Sequence, residues 1–305
     1  MAGVGSRAVP AQFVGCALAW GASFLFMKVA LEGLTPPQVV LGRLVAGAAA
    51  LCAVSLVTRT RPPGWGRVWG HFAVIAVLLC VVPFLLYAWA ETRVSSGLAS
   101  IYNATTPLMT LLVAVAALPE ERPTRGRLAG LAMGFAGVAI VLGPWRGLGG
   151  GEAVAQLACV GAPFCYGLGF VYLRRYVAPL GLPALTVATG QIGVAALMML
   201  VATPFVATTP PVLTWRVVGS IAVLGVIGTG LAYVWNTNVV GAWGATRAST
   251  VTYLTPVVGV ALGVLLLGES VSWNEPVGAL VVILGILIGQ GRLRGGRLAR
   301  EPGEG

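Results

Sequence analysis

The chain has 305 residues, 57% hydrophobic and 9% charged, with 19 Lys and Arg against 9 acidic residues and a formal charge of +10. Soluble chains usually carry about 25% charged residues, so a soluble globular domain is excluded. The arginines are scattered between apolar stretches rather than gathered with aromatics on one face, which argues against a nucleic-acid partner.

Apolar segments of the length a helix needs to cross roughly 30 Å of hydrocarbon, about 20 residues, recur along the chain. They predict an all-α polytopic membrane protein with ten transmembrane helices, at approximately 11–30, 37–57, 69–91, 94–118, 127–143, 152–173, 183–206, 215–236, 242–267 and 275–291. Cytoplasmic segments carry the excess of Lys and Arg in membrane proteins. With the N-terminus inside, the cytoplasmic set is Arg7, then Arg59, Arg61 and Arg67, then Arg122, Arg125 and Arg127, then Arg174 and Arg175, then Arg292, Arg294, Arg297 and Arg300. Only Lys28, Arg93, Arg146 and Arg216 fall at the opposite face. Both termini are therefore expected in the cytoplasm, and the protein is expected to be multi-pass in the plasma membrane. The cysteines (Cys16, Cys52, Cys80, Cys159, Cys165) all fall in predicted spans without disulfide or metal spacing. The N-terminus lacks the pattern of a cleaved secretory signal, so the first apolar segment is read as span one.

Several landmarks recur about 146 to 149 residues apart. "AWGASFLFMK" (Ala19 to Lys28) matches "CYGLGFVYLR" (Cys165 to Arg174), and "LYAW" (Leu86 to Trp89) returns as "AYVW" (Ala232 to Trp235). "RLAGLAMGFAGVAIVLG" (Arg127 to Gly143) matches "EPVGALVVILGILIGQG" (Glu275 to Gly291). Most telling is a proline followed by a glutamate at the same distance: Pro107 with Glu120, and Pro256 with Glu269. The repeats divide the chain into residues 1–148 and 149–305, five spans each. Because five is odd, the second half enters the membrane from the opposite side, which makes two inverted five-helix repeats. Such pairs hold a substrate site near the bilayer midplane between the halves. The loops agree: "PEERPTRGR" (Pro119 to Arg127) is basic, and its counterpart "GESVSWNEP" (Gly268 to Pro276) has no Lys or Arg.

"WGASF" (Trp20 to Phe24) followed by Lys28, "GRL" (Gly42 to Leu44), and the runs ending "ALPE" (Ala117 to Glu120) and "LLGE" (Leu266 to Glu269) resemble the EamA-like branch of the drug/metabolite transporter superfamily. The resemblance covers about residues 11 to 291. It implies a ten-helix carrier with cytoplasmic termini, often an exporter of amino acids, related metabolites or small drugs. Departures are "PFCYG" (Pro163 to Gly167), where a tryptophan is usual before the small residue, and "LPE" in place of "LGE" at Leu118 to Glu120.

The residues themselves suggest a cavity. A proline inside a helix frees a carbonyl, which must be satisfied by protein or water at membrane depth, so Pro107 and Pro256 read as hinges or site-lining positions, with a packing kink as the alternative. Asn103, Thr106, Thr252 and Thr255 lie within a turn of them, and neighbours three or four apart share a helix face. Trp20 and Tyr166 superpose at mid-span next to glycines, and Ser23, Tyr87 and Tyr233 join the expected cavity set. Arg43 lies within a span, where a charge is costly; it reads as bonding freed carbonyls or attracting a carboxylate. Lys28 and Arg174 read as snorkelling cations, and His71, the only histidine, as interfacial. There is no aspartate, and every glutamate lies at a span end or in a loop, leaving no obvious mid-membrane proton carrier. Facilitated movement, or coupling through a peripheral group such as Glu91, follows. Catalysis is not expected, nor a metal or other cofactor. The expected partners are a small-molecule solute and the lipid bilayer, with homodimerisation open. The function expected is export of amino acids or related small metabolites by alternating access; a drug exporter or vitamin importer of the same fold is the alternative, a channel the distant one.

Overall fold

The computed structural model describes residues 8–118, 124–146, 151–243 and 250–290. Glu120, the Gly244 to Ser249 stretch, Arg7, Arg122 and the arginines from Arg292 onward lie outside them. The described residues are all-helical. Eight helices are long and apolar enough to cross a membrane: α1 (Ala8–Ala30), α2 (Pro36–Val57), α3 (Val68–Ala90), α4 (Ser96–Ala117), α5 (Arg125–Leu142), α6 (Gly151–Leu180), α7 (Ala184–Val206) and α8 (Trp215–Trp243). Two shorter apolar helices follow, α9 (Val251–Leu267) and α10 (Asn274–Gly289). Large apolar side chains such as Leu56, Phe205, Leu265 and Leu280 face outward, as a lipid-facing surface requires.

Helix α4 is two helices in one span, Ser96–Asn103 and Thr106–Ala117, and Pro107 sits in the first turn of the second. A proline there cannot donate to the carbonyl four residues back, which is that of Asn103. The Thr106 hydroxyl donates to this carbonyl at 2.7 Å instead. "TTP" is therefore a break with its own repair, since Thr105 likewise donates its hydroxyl to the Tyr102 carbonyl at 2.7 Å. Pro256, by contrast, lies inside the continuous helix α9.

The start of α4 is held from the far end of the sequence. Glu269 accepts the Ser96 amide at 2.7 Å, the Gly97 amide at 3.0 Å and the Ser96 hydroxyl at 2.9 Å. The Ser95 hydroxyl accepts the Leu98 amide at 3.1 Å. Amides that have no partner within their own helix thus meet a carboxylate at the end of the helix dipole that favours negative charge. Gly268 ends α9 in the left-handed region at φ 65°, turning Glu269 back toward α4. A side chain at Gly263 would collide with the same carboxylate.

Helices α5 and α10 pack antiparallel through glycines. A Cβ on Gly130 would lie 2.5 Å from the Gly289 backbone, and one on Gly285 would lie 2.5 Å from the Gly134 amide nitrogen. Small residues let membrane helices approach to backbone contact. Asn274 completes the seam, donating its side-chain amide to the Ile140 and Val141 carbonyls at 3.1 and 2.9 Å near the end of α5.

Two other contacts come in pairs. Gly42 of α2 packs on Ile221 of α8, and Gly190 of α7 packs on Phe72 of α3. One residue on, Arg43 donates to Thr229 at 3.0 Å, and Gln191 donates to the Cys80 sulfur at 3.5 Å. Thr229 and Cys80 both sit in widened, π-helical turns, Val223–Leu231 and Val77–Val81.

Two stability measurements in detergent follow. Gly285→Ala drives a methyl into backbone and is expected to cost about 1–3 kcal/mol, the usual penalty of overpacking; Gly219→Ala, with open space around it, is expected to cost nothing. Glu269→Gln replaces an acceptor-only carboxylate with an amide and is expected to cost about 1 kcal/mol, as loss of a helix cap does; thermal unfolding checks both.

Candidate functional site

A cavity of about 160 Å³ lies in the middle of the bundle. Of the residues expected from the sequence, Trp20, Ser23, Arg43, Tyr87, Asn103, Thr106, Tyr166, Tyr233 and Thr252 line it. Pro107 and Pro256 do not: each stands one position beyond a lining threonine, Thr106 or Thr255. Pro256 is buried and Pro107 half-buried, and the hydroxylated residue beside each lines the cavity. The wall also includes Phe24, Met27, Leu79, Phe84 and Phe170, which no sequence signal separated from ordinary span residues.

Most hydroxyls here are already engaged. Ser23 donates to the Ala19 carbonyl at 2.7 Å and Thr255 to the Val251 carbonyl at 3.2 Å, each one turn back along its own helix. Such hydroxyls satisfy backbone and offer the cavity only an acceptor. The Tyr87 hydroxyl donates to Asn103 Oδ1 at 3.3 Å, bridging α3 and α4. That bond fixes the Asn103 amide so that its NH₂ group is left to donate.

Among the described residues Arg43 is the only charged side chain on the wall, and it is 7% exposed. Its Nε donates to Thr229, a hydroxyl rather than a freed carbonyl, and its guanidinium lies over the Phe84 ring at 3.9 Å from the centroid. A cation over an aromatic face is attracted by the ring quadrupole, so Phe84 compensates part of the burial. Its terminal amino groups make no hydrogen bond among the described residues. Thr229 returns its own proton to the Leu224 carbonyl at 3.1 Å, five residues back, the spacing of a π turn.

Aromatic rings form the rest of the wall. Phe24 meets Tyr87 edge-on at 5.3 Å, and Tyr166 and Phe170 lie 6.4 Å apart. Gln191 donates to the Tyr233 hydroxyl at 3.4 Å from behind. The arrangement is one fixed cation and one amide in an aromatic shell, suited to a small solute with an apolar body and an anionic end.

Lys28 does not snorkel to water. Its ammonium donates to the carbonyls of Glu91 and Val94, in the turn between α3 and α4. Glu91, expected at the periphery, is fully buried. At the same end of the bundle Arg216 pairs with Glu32 at 3.2 Å. His71 bonds the Tyr172 hydroxyl at 2.8 Å, away from the cavity. Among the described residues no group of His, Cys, Asp or Glu is placed to hold a metal ion.

Comparison with known proteins bears on this arrangement. The chain is 27% identical over 271 residues to the uncharacterized inner membrane transporter YedA of Escherichia coli (strain K12), covering 88% of this chain and 86% of that protein. It is 25% identical over 300 residues to a probable amino-acid metabolite efflux pump of Salmonella typhimurium, covering 93% and 95%. A solved crystal structure superposes with a TM-score of 0.66 at 20% identity, over 93% of this chain and 98% of the other, and so shares the fold. The family description "EamA-like transporter family" matches twice, at residues 11–143 and 153–289. A polytopic helical chain matched over nearly its whole length by one transporter family in this way is a membrane protein of the EamA-like transporter family.

Proposed function

We propose that the protein exports small carboxylate-bearing metabolites, amino acids or their close relatives, by alternating access through the central cavity. The observation that carries this reading is Arg43, a buried guanidinium whose two terminal amino groups make no hydrogen bond among the described residues, in an aromatic chamber. Arg presents a planar fork that matches a carboxylate. Asn103 supplies the second polar handle, and the rings cover the apolar part. Ligand sites for drug-sized molecules usually measure about 300–1,000 Å³; a cavity of about 160 Å³ favours a smaller solute over the drug-exporter alternative. The Salmonella typhimurium relative, named as a probable amino-acid metabolite efflux pump, points the same way.

In this reading α1 to α10 are ten spans in two inverted repeats, residues 1–148 and 149–305, with both termini in the cytoplasm. The paired contacts support it. Gly42 on Ile221 and Gly190 on Phe72, then Arg43 to Thr229 and Gln191 to Cys80, are one contact made twice with the halves exchanged. These contacts favour a repeat register that pairs Phe84, rather than Tyr87, with Tyr233. Arg43 and Gln191 then occupy equivalent places, and only the first half carries the charge. The charge on the cavity wall thus comes from one half, which would give a solute one fixed orientation.

The test is the extracellular metabolite profile of cells producing the protein, fed amino acids and dipeptides, against cells producing Arg43→Met. Selective accumulation outside, reduced about tenfold or more in the variant, is expected from losing hydrogen bonds to a charged group. Equal accumulation with Arg43→Met folded and inserted would contradict the assignment. Asn103→Ala is expected to weaken transport less, and Tyr87→Phe to act through Asn103 by freeing its amide to rotate.

A further inference from the structure

Glu91 stands out because it is fully buried and neither carboxyl oxygen has a hydrogen-bond partner among the described residues. It follows the last residue of α3, Ala90, and opens the turn that leads into α4. An ionised carboxylate in such a place loses its hydration without replacement, a cost far beyond that of a neutral acid. The cation that could compensate it is committed elsewhere: Lys28 spends its donors on the backbone carbonyls of Glu91 and Val94. Burial holds the carboxyl well above the usual range; Lys28 opposes this, Glu269 reinforces it, and Arg43 opposes it. Tyr87, one turn back on α3, and Cys159 of α6 are the other titratable groups within its reach.

We infer that Glu91 is a proton-binding site that sets whether the α3–α4 turn is clamped or free. With the proton on, the acid is neutral and Lys28 holds the turn by its carbonyls, as here. With the proton given up to water, the new carboxylate competes for the same ammonium, Lys28 leaves the carbonyls, and residues 91–97 are released. Lys28 stays charged throughout, and one proton is the only species exchanged. The same turn is gripped on its other side by Glu269 at Ser96 and Gly97, so releasing Lys28 removes one of two ties between this turn and the rest of the bundle. The turn also leads directly to Tyr87 and Asn103, one turn before it and two turns after it, so its release reaches the cavity wall. In an exporter, and this step rests on the transport reading above, such a site links proton binding to opening of one end.

The sign follows from the two environments. The clamped arrangement binds the proton more tightly than an open one, where Glu91 meets water and titrates normally, so the clamp is complete in acid and is lost as pH rises through the buried group's titration. Hydrogen–deuterium exchange of residues 91–103 in reconstituted protein reads this without any solute. Wild type and Glu91→Gln, compared at each pH so that intrinsic exchange cancels, are expected to match in acid. In alkali the wild-type segment is expected to exchange about tenfold or more faster, the change produced by a one-unit pKa difference between two arrangements. Lys28→Met is expected to exchange fast at every pH. Wild-type exchange that tracks Glu91→Gln across the range would overturn the proposal. Should Glu91→Gln fail to fold, wild type compared with Lys28→Met decides: a gap that closes as pH rises supports the site, and a constant gap overturns it. An intact pH response with no solute export rejects the carrier reading alone; export with no pH response rejects only the proton site.

Discussion

Backbone polar groups have no water to turn to inside a bilayer, and this constraint shapes every irregular feature of the protein. The helix α4 is interrupted at mid-membrane and begins under the reach of another helix's end, and both irregularities are repaired from nearby side chains. Thr106 answers the carbonyl that Pro107 abandons, and Glu269 answers the amides of Ser96 and Gly97. Lys28 does the same for the carbonyls that end α3. Each repair uses a polar side chain that composition alone would place in solvent. Lys28 and Glu269 are thus part of the backbone's accounting before they are part of any transport chemistry, and Arg43, which lines the cavity and bonds only a threonine hydroxyl among the described residues, is the exception.

Close packing supplies the rest. Glycines let α5 lie against α10 and α2 against α8 at backbone distance, and let the Phe72 ring of α3 lie against the α7 backbone at Gly190. Contacts of this kind hold only in one register, which suits rigid units that move against each other better than a deformable wall. The cavity lies between residues drawn from both halves of the chain, on α1 to α4, α6, α8 and α9. Its wall combines aromatic rings with hydroxyls most of which already have a partner; in the proposed reading Arg43 and Asn103 recognise what enters.

Much of this was legible in the sequence, and the misses share a cause. Apolar length locates α1 to α5 and α7 to within a few residues, because a helix must cover a fixed thickness, whereas α6 and α8 each run seven residues beyond the expected 152–173 and 215–236. Polar residues amid apolar ones located most of the cavity, because such residues are expensive unless used. Pro107 and Pro256 were misplaced as lining residues: a proline marks where a helix is disturbed, and the side chain facing the cavity is its neighbour. The π turns in α3 and α8 leave no period in the sequence, so "LYAW" and "AYVW" match by residue type, whereas the paired contacts favour the register of "RVWG" (Arg67 to Gly70) with "RVVG" (Arg216 to Gly219). Glu91 was read as peripheral because it stands at a span end; its burial depends on Lys28, which is distant in sequence and reaches across from α1.

The central claim is that the two halves alternate around the cavity, and the contact between Glu269 of the second half and Ser96 of the first is a place where that proposal can be tested. The most direct measurement joins that contact covalently: a cysteine pair at positions 96 and 269, in a chain whose native cysteines are replaced, bridged by a short thiol crosslinker in vesicles preloaded with radiolabelled amino acids. The account predicts that efflux stops when the bridge forms and resumes when a cleavable bridge is cut. Efflux at full rate through fully bridged protein would contradict it.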